Sequence, residues 1–103
     1  MTWVISATPA AEADIAEAVE WYEGREPGLG ARLLTEANGV NRRIAANPLR
    51  FPVIYWDARK ASLRGFPYVM ISRLIGEEAR LLAFFHTSRN PGRWRARVRR
   101  SPN

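Results

Sequence analysis

The single histidine of the chain, His86, is the side chain best suited to transfer protons near neutral pH. Cleavage of RNA through its 2′-hydroxyl needs a base for that hydroxyl, an acid for the leaving oxygen and cations for the charged intermediate. His86 is the candidate acid or base, and the candidate cations are Arg64, Arg73 and Arg89. The alternative is that His86 only makes structural hydrogen bonds where a strand ends, and the residue pattern leaves both interpretations open.

Arginine is concentrated towards the end of the chain. Residues 79–103 contain seven arginines and no acid, whereas residues 12–26 contain six of the ten acidic residues. Guanidinium groups bind phosphates and carboxylates in pairs, so a nucleic acid, ribosomal RNA or an acidic protein surface is the expected partner. The residues predicted to contact a target or partner are Arg89, Arg93, Trp94, Arg95, Arg97 and Trp21.

The two tryptophans of this set each have a second interpretation. Trp94 stacks on a base if it is exposed, and packs as a core residue if the chain folds back. Trp21 lies beside an apolar helical stripe, where it is either exposed or buried at the helix edge. The arginines form either an interaction surface or a solvated tail, and no acid close in sequence neutralises them.

Several classes of site are excluded. The chain has no cysteine and one histidine, so thiolate and multi-histidine metal sites cannot form, and neither a metal nor a cofactor is expected. There is no Gly-rich phosphate loop, no Ser/His/Asp set and no paired catalytic carboxylates. There is also no signal peptide and no stretch long enough to span a membrane, so a cytoplasmic protein without a membrane partner is expected.

The first half of the chain predicts a strand followed by two amphipathic helices. Residues 3–7 are rich in strand formers, and Thr8 followed by a proline suits a helix start. The first helix, ending near Gly24, has its apolar residues at helical spacing: Ala11, Ile15, Ala18, Val19 and Tyr22. The second, which ends at Asn47, repeats the pattern at Leu29, Leu33, Ala37, Val40 and Ile44. The Pro-Gly link between them predicts an antiparallel helical hairpin.

The second half of the chain predicts strands. Residues 66–75 and 80–87 are almost continuously apolar and flank a tight turn, so both are expected to be central strands. Two shorter strands are expected at 51–56 and 61–64, on either side of a polar turn at 57–60.

These elements predict an α+β fold. It comprises an N-terminal strand, a helical hairpin packed on one face of a small antiparallel sheet, and a basic C-terminal tail after His86. The length of 103 residues suits one domain spanning 1–103.

An ordered set of motifs carries a family resemblance. It consists of Trp21-Tyr22 in the acidic helix, Asn47-Pro48 after the second helix, Phe66-Pro67-Tyr68 before a central strand, and His86 followed by Ser88-Arg89-Asn90-Pro91 and Trp94. In this order the chain resembles the ParE/RelE toxin superfamily, which includes plasmid stabilisation proteins, and the block around His86 is more similar to ParE.

The resemblance implies a type II toxin held in a heteromeric complex by a cognate antitoxin. ParE-like members are reported to poison DNA gyrase by binding, and RelE-like members cut messenger RNA on the ribosome. No tyrosine follows Tyr68, so the C-terminal tyrosine often found in the nucleases is missing. This departure favours the gyrase inhibitor over the endoribonuclease, and a degenerate copy that only binds its antitoxin is a third possibility.

Overall fold

The computed structural model describes residues 2–100 and contains three helices and a five-stranded sheet. The helices are α1 (Pro9–Arg25), α2 (Leu29–Ala46) and α3 (Gly92–Arg100). The strands are β1 (Val4–Ala7), β2 (Val53–Tyr55), β3 (Ala58–Ser62), β4 (Tyr68–Ile75) and β5 (Glu78–His86). Within the described part of the chain, no helix is long and apolar enough to cross a membrane.

The helical hairpin forms as its apolar spacing predicts. The Thr8 hydroxyl accepts a hydrogen bond from the Ala11 backbone nitrogen at 3.1 Å and so caps α1. Between the helices, Gly28 adopts φ 91°, and the Glu23 carboxylate accepts hydrogen bonds from the backbone nitrogens of Gly28 and Gly30. The hairpin buries most of the predicted stripe of α2, namely Leu33, Ala37, Val40 and Ile44.

The sheet has the order β1-β5-β4-β3-β2. Strands β4 and β5 each have a neighbour on both sides, which confirms that the two most apolar segments are central. Strands β2 to β5 form the predicted antiparallel meander, whereas β1 pairs with β5 in parallel. The whole hairpin and three strands separate β1 from β5, so no tight turn sets their relative direction.

The prediction of a polar turn at 57–60 is wrong. The turn lies at Trp56 and Asp57, where Trp56 adopts φ 52°, and β3 already begins at Ala58. Arg59 and Lys60 lie in β3 because their backbone pairs with Ser72 and Ile71 of β4. The Arg59 guanidinium has partners as well, since it donates to the Leu49 and Phe51 carbonyl oxygens at 3.3 and 2.8 Å. The charges suggested a turn, but the pairing with β4 depends on residues distant in sequence.

The prediction of an irregular basic tail is also wrong, because residues 92–100 form α3. Its buried residues are Trp94 and Val98, one helical turn apart, and they pack on Ile71, Leu82 and Ala83. The helix therefore covers the sheet face opposite the hairpin, giving three layers. The predicted tail also included residues 101–103, which lie outside the described residues.

An irregularity in β5 decides which face His86 shares. The β4–β5 register shifts between Ile71 and Ser72, which leaves Leu82 as an extra residue. Leu82 and Ala83 both pack in the cluster beneath α3, and Phe84 then returns to the hairpin side. A bulge of this kind exchanges the faces to which the later side chains of the strand point. The His86 side chain therefore lies on the face of the sheet that α1 covers.

Candidate functional site

The loop from His86 to Gly92 presents the most exposed functional side chains at the end of β5. The Thr87 backbone nitrogen donates to the Pro67 carbonyl at 2.9 Å, and the Arg89 nitrogen donates to the His86 carbonyl at 3.0 Å. The Gly92 nitrogen donates to the Asn90 side-chain oxygen at 2.7 Å, just where α3 begins. These bonds hold the loop in one conformation and leave the Arg89 side chain exposed.

The hydrogen bonds of His86 determine which of its two ring nitrogens is available to a partner. The Ser88 backbone nitrogen donates to His86 Nδ1 at 3.0 Å, and the Ser88 hydroxyl lies 2.7 Å from the same atom. A backbone N–H can only donate, so Nδ1 carries the lone pair and the neutral ring has its proton on Nε2. The ring therefore offers a hydrogen-bond donor to its surroundings, and its acceptor nitrogen is already occupied by Ser88.

A cleft of about 340 Å³ separates α1 from the end of β5, and we call it the aromatic cleft. Its walls include the rings of Trp21, Tyr22, Tyr68, Phe84, Phe85 and His86. Tyr68 lies at its centre, stacked on Phe84 with ring centroids 4.8 Å apart and in edge contact with His86 at 5.2 Å. The polar side chains that line the same cleft are Asp14, Glu17, Ser88 and Arg89.

Burial is the main reason that the pKa of Tyr68 is raised, and the neighbouring Tyr22 and Glu17 raise it further. Arg89 acts in the opposite direction on the same group. Tyr68 therefore remains a neutral phenol at physiological pH. Glu17 and Arg89 both act on its hydroxyl, so the cleft carries opposite charges near its aromatic centre.

Trp21 forms the outer wall of the aromatic cleft. Its side chain is 53% exposed, so the structure resolves the two interpretations of this residue in favour of exposure. The ring meets Tyr22 edge-on at 4.9 Å, and the guanidinium of Arg25 lies 4.3 Å from its centroid. An exposed tryptophan with a cation on its face is typical of a contact surface.

A second cleft, of about 320 Å³, lies on the opposite face of the sheet beside α3, and we call it the basic cleft. Its cationic residues are Lys60, Arg89 and Arg95, and its apolar residues include Ile54, Val69 and Phe85. The Arg95 guanidinium lies 5.2 Å from the Tyr55 ring centroid. Among the described residues, no acid lines this cleft.

The four predicted catalytic residues do not come together. Arg73 is 3% exposed, with its guanidinium on Asp57 and on the Val98 carbonyl at the end of α3, so it ties three elements together. Arg64 lines a separate depression beside α2, with Arg32, Glu36 and Phe66. Only His86 and Arg89 share a cleft.

The predicted contact residues divide into exposed and enclosed ones. Arg89, Arg93, Arg95 and Trp21 are exposed, whereas Trp94 is 6% exposed and packs in the core, out of reach of a base. No acid close in sequence neutralises the arginines, as the sequence indicated, but a distant acid neutralises Arg97. Its guanidinium forms an ion pair with Asp14, 83 positions away in sequence, and donates to the Leu82 carbonyl.

Three residues of these clefts were missed from the sequence. Tyr68 was interpreted only as the packed start of a strand, and Lys60 as part of a turn. Glu17 stood out only as one acid of many, although it precedes Trp21 by four residues and therefore lies one turn away on the same face of α1. That spacing was the one available signal.

The two clefts offer exposed cations and aromatic faces. Among residues 2–100, no group of three or more potential metal ligands comes together.

No protein-family model matches the chain, and no curated protein is significantly similar in sequence. Solved structures are similar in fold. A chain of the chromosomal ParDE toxin–antitoxin system from P. aeruginosa has a TM-score of 0.76 and 15% identity, over 84% of this chain and 98% of that chain. The toxin–antitoxin complex RelBE2 from Mycobacterium tuberculosis has a TM-score of 0.58 and 20% identity, over 84% of this chain and 99% of that chain. The protein therefore has the ParE/RelE toxin fold, as its motifs predict.

Proposed function

We propose that the protein is the toxin of a type II toxin–antitoxin system, of the ParE kind, which inhibits DNA gyrase by binding to it. In this proposal a cognate antitoxin neutralises the toxin in a heteromeric complex in the cytoplasm. The fold it shares with chains of the ParDE and RelBE2 systems supports the toxin assignment.

The observation that carries the choice of binding over catalysis is the separation of the candidate catalytic residues. Phosphoryl chemistry on RNA needs an acid, a base and cations around one phosphate. Here Arg73 is enclosed by Asp57 and Val98, and Arg64 lies in another depression. The Nδ1 atom of His86 is occupied by Ser88, so a switch to a proton-accepting Nε2 would break that contact.

The alternative is a RelE-like, ribosome-dependent endoribonuclease. One observation favours it: His86 lines the same cleft as the exposed Arg89. In that case His86 would be the general acid in its imidazolium form, which requires Nδ1 to gain a proton and release the Ser88 N–H, and Arg89 would neutralise the phosphate. The two functions differ in what His86 must do, so a variant of this residue separates them.

The test is induction in a bacterial host together with two assays on purified protein, one for gyrase-linked DNA cleavage and one for messenger-RNA cleavage on ribosomes. His86→Gln keeps a side chain of similar size and hydrogen-bonding capacity but cannot titrate. We expect this variant to remain toxic and to act on gyrase. If His86→Gln folds normally while toxicity and cut messenger RNA disappear together, by roughly 10²- to 10⁴-fold, the protein is the nuclease.

The binding surface is tested by the double variant Arg89→Ala/Arg95→Ala, since arginines are frequent hot spots of interfaces. We expect action on gyrase to fall by at least about thirtyfold, which corresponds to about 2 kcal/mol of binding free energy. Arg32→Ala/Arg42→Ala is the matched control, because it also removes two charges and both residues are exposed arginines of α2 outside both clefts. An equal loss in the control would indicate that net charge, not this surface, governs binding.

A further inference from the structure

The aromatic and basic clefts meet at the end of β5. Phe85 and Arg89 line both of them. A small cavity of about 40 Å³ shares this pair with both clefts, and its other polar side chains are Asp14, Asn90, Arg93 and Arg97. The two clefts therefore form one continuous groove, which passes from α1 around the loop after His86 to the outer face of the sheet.

One end of this groove is a site for anions. Lys60, Arg89 and Arg95 surround an apolar floor, and none of the three forms an ion pair with an acid in residues 2–100. Desolvating such cations without a partner charge is costly, so an occupant that buries them must bring carboxylates or phosphates.

The other end is a site for a cation. Glu17 and Trp21 lie one turn apart on α1, and no basic residue of the described chain is paired with Glu17. The Arg25 guanidinium lies 4.3 Å from the Trp21 ring centroid, so a cation of the chain itself covers one face of this ring, and the Glu17 carboxylate is the group that remains available to a partner's cation. A carboxylate beside an exposed indole fits a lysine or arginine side chain from a partner.

We propose that the groove recognises charge order in one extended protein segment, with acidic side chains at the Lys60–Arg95 end and a basic side chain at the Glu17–Trp21 end. The inference rests on the proposed function in one respect, because it takes the segment to belong to the antitoxin. A nucleic acid is a uniform polyanion and would set phosphates against Glu17, so it matches only half of the groove. A segment with both charges matches all of it.

The test uses four labelled synthetic peptides of equal length and fluorescence anisotropy at low and physiological salt. Two have an acidic half and a Lys-containing half in opposite orders, the third has the same composition with the charges scrambled, and the fourth is uniformly acidic. We expect one of the two ordered peptides to bind at least about tenfold more tightly than the scrambled and uniformly acidic peptides. Equal binding of all four would overturn the proposal.

Charge reversal in the protein provides the second arm. Glu17→Lys should weaken binding of the preferred ordered peptide by about tenfold or more and strengthen binding of the uniformly acidic one. The matched control is Glu20→Lys, which makes the same change on α1 outside the cleft and should alter neither affinity by more than about twofold. Identical behaviour of the two variants would overturn the proposal.

A single-stranded oligonucleotide of similar length is the third probe. Tighter binding of this probe than of the ordered peptides would identify a nucleic-acid surface and overturn the proposal. Inhibition of gyrase is measured separately with unmodified protein. If the peptides bind equally while the protein still inhibits gyrase, the charge-order proposal fails and the proposed toxin function stands.

Discussion

Replacing Asp14 should destabilise the protein by more than an ordinary surface charge change, because this carboxylate joins three layers. Strand β1 ends at Ala7, so the β5 edge beyond Leu81 has no neighbouring strand. Asp14 of α1 accepts a hydrogen bond from the Phe84 backbone nitrogen at 3.1 Å. It also binds the guanidinium of Arg97 from α3, which donates in turn to the Leu82 carbonyl. The hydrogen bond with Asp14 raises the pKa of Arg97.

The expected magnitude follows from the groups that lose their partner. Asp14→Ala leaves the Phe84 N–H without an acceptor and removes a bidentate contact from Arg97. The Arg97 side chain is 28% exposed and the Asp14 side chain 19%, so water can replace the lost hydrogen-bond partners only in part. We expect a loss of about 2 to 3 kcal/mol in the free energy of unfolding. For a domain of this size, that corresponds to a fall of about 10 to 20 °C in Tm.

The assay is urea unfolding followed by tryptophan fluorescence, applied as a double-mutant cycle with Arg97→Gln. Because the two residues contact each other, the cycle should give a coupling of about 1 to 2 kcal/mol. Glu20→Ala, an exposed change on the same helix, should lie within about 0.5 kcal/mol of the unmodified protein. A coupling below about 0.5 kcal/mol would mean that Asp14 and Arg97 behave as an ordinary surface ion pair, and the reasoning would be refuted.

Three further predictions concern packing and titration. Leu82→Ala removes a fully buried side chain beneath α3 and should cost about 2 to 5 kcal/mol by urea unfolding; a loss under about 1 kcal/mol would contradict its burial. Gly39→Ala should raise stability by about 0.5 to 1 kcal/mol, since its Cβ would meet nothing closer than 3.8 Å. Gly30→Ala on the same helix should lower it, because a Cβ would lie 2.6 Å from the Val19 carbonyl oxygen, and equal effects of the two changes would refute this contact. Burial raises the pKa of Tyr68 above 10.0, so the stability it contributes is present below about pH 10 and lost as pH rises through the folded value. An absorbance titration should show one late-titrating phenol that is absent from Tyr68→Phe, and an unchanged titration would contradict the assignment.

The local sequence predicted most of the fold, because local rules govern those elements. The stripe of α2 depends on a 3.6-residue repeat, and the β4–β5 hairpin follows from two apolar runs around Gly76. The parallel pairing of β1 did not follow from any local pattern, since β1 and β5 are brought together by the whole chain between them. Helix α3 was missed because the arginines between Trp94 and Val98 resemble a solvated tail unless the surface they cover is known.

Part of the candidate site also followed from the sequence, and part of it depended on the tertiary structure. Residue types alone predicted Arg89 and Arg95 as contact residues, because no acid close in sequence neutralises them, and both are exposed. They left Trp21 either exposed or buried at the helix edge, and only the tertiary structure decided for exposure. The tertiary structure decided which charges remain available. Asp14 neutralises Arg97 from 83 positions away in sequence. Asp57, in the turn between β2 and β3, accepts a hydrogen bond from Arg73 of β4.

The sequence by itself determined the α+β class, the basic character of the chain end and the absence of cysteine chemistry, because composition and short-range periodicity carry that information. Only the tertiary structure brought Glu17 of α1 and Arg89 to one cleft, and Arg89 and Lys60 to another. The extra residue at Leu82 reverses the alternation of β5, and this turns His86 towards α1. A change of one residue in strand register exchanges the two faces of a sheet, and register is set by long-range packing that no local pattern records.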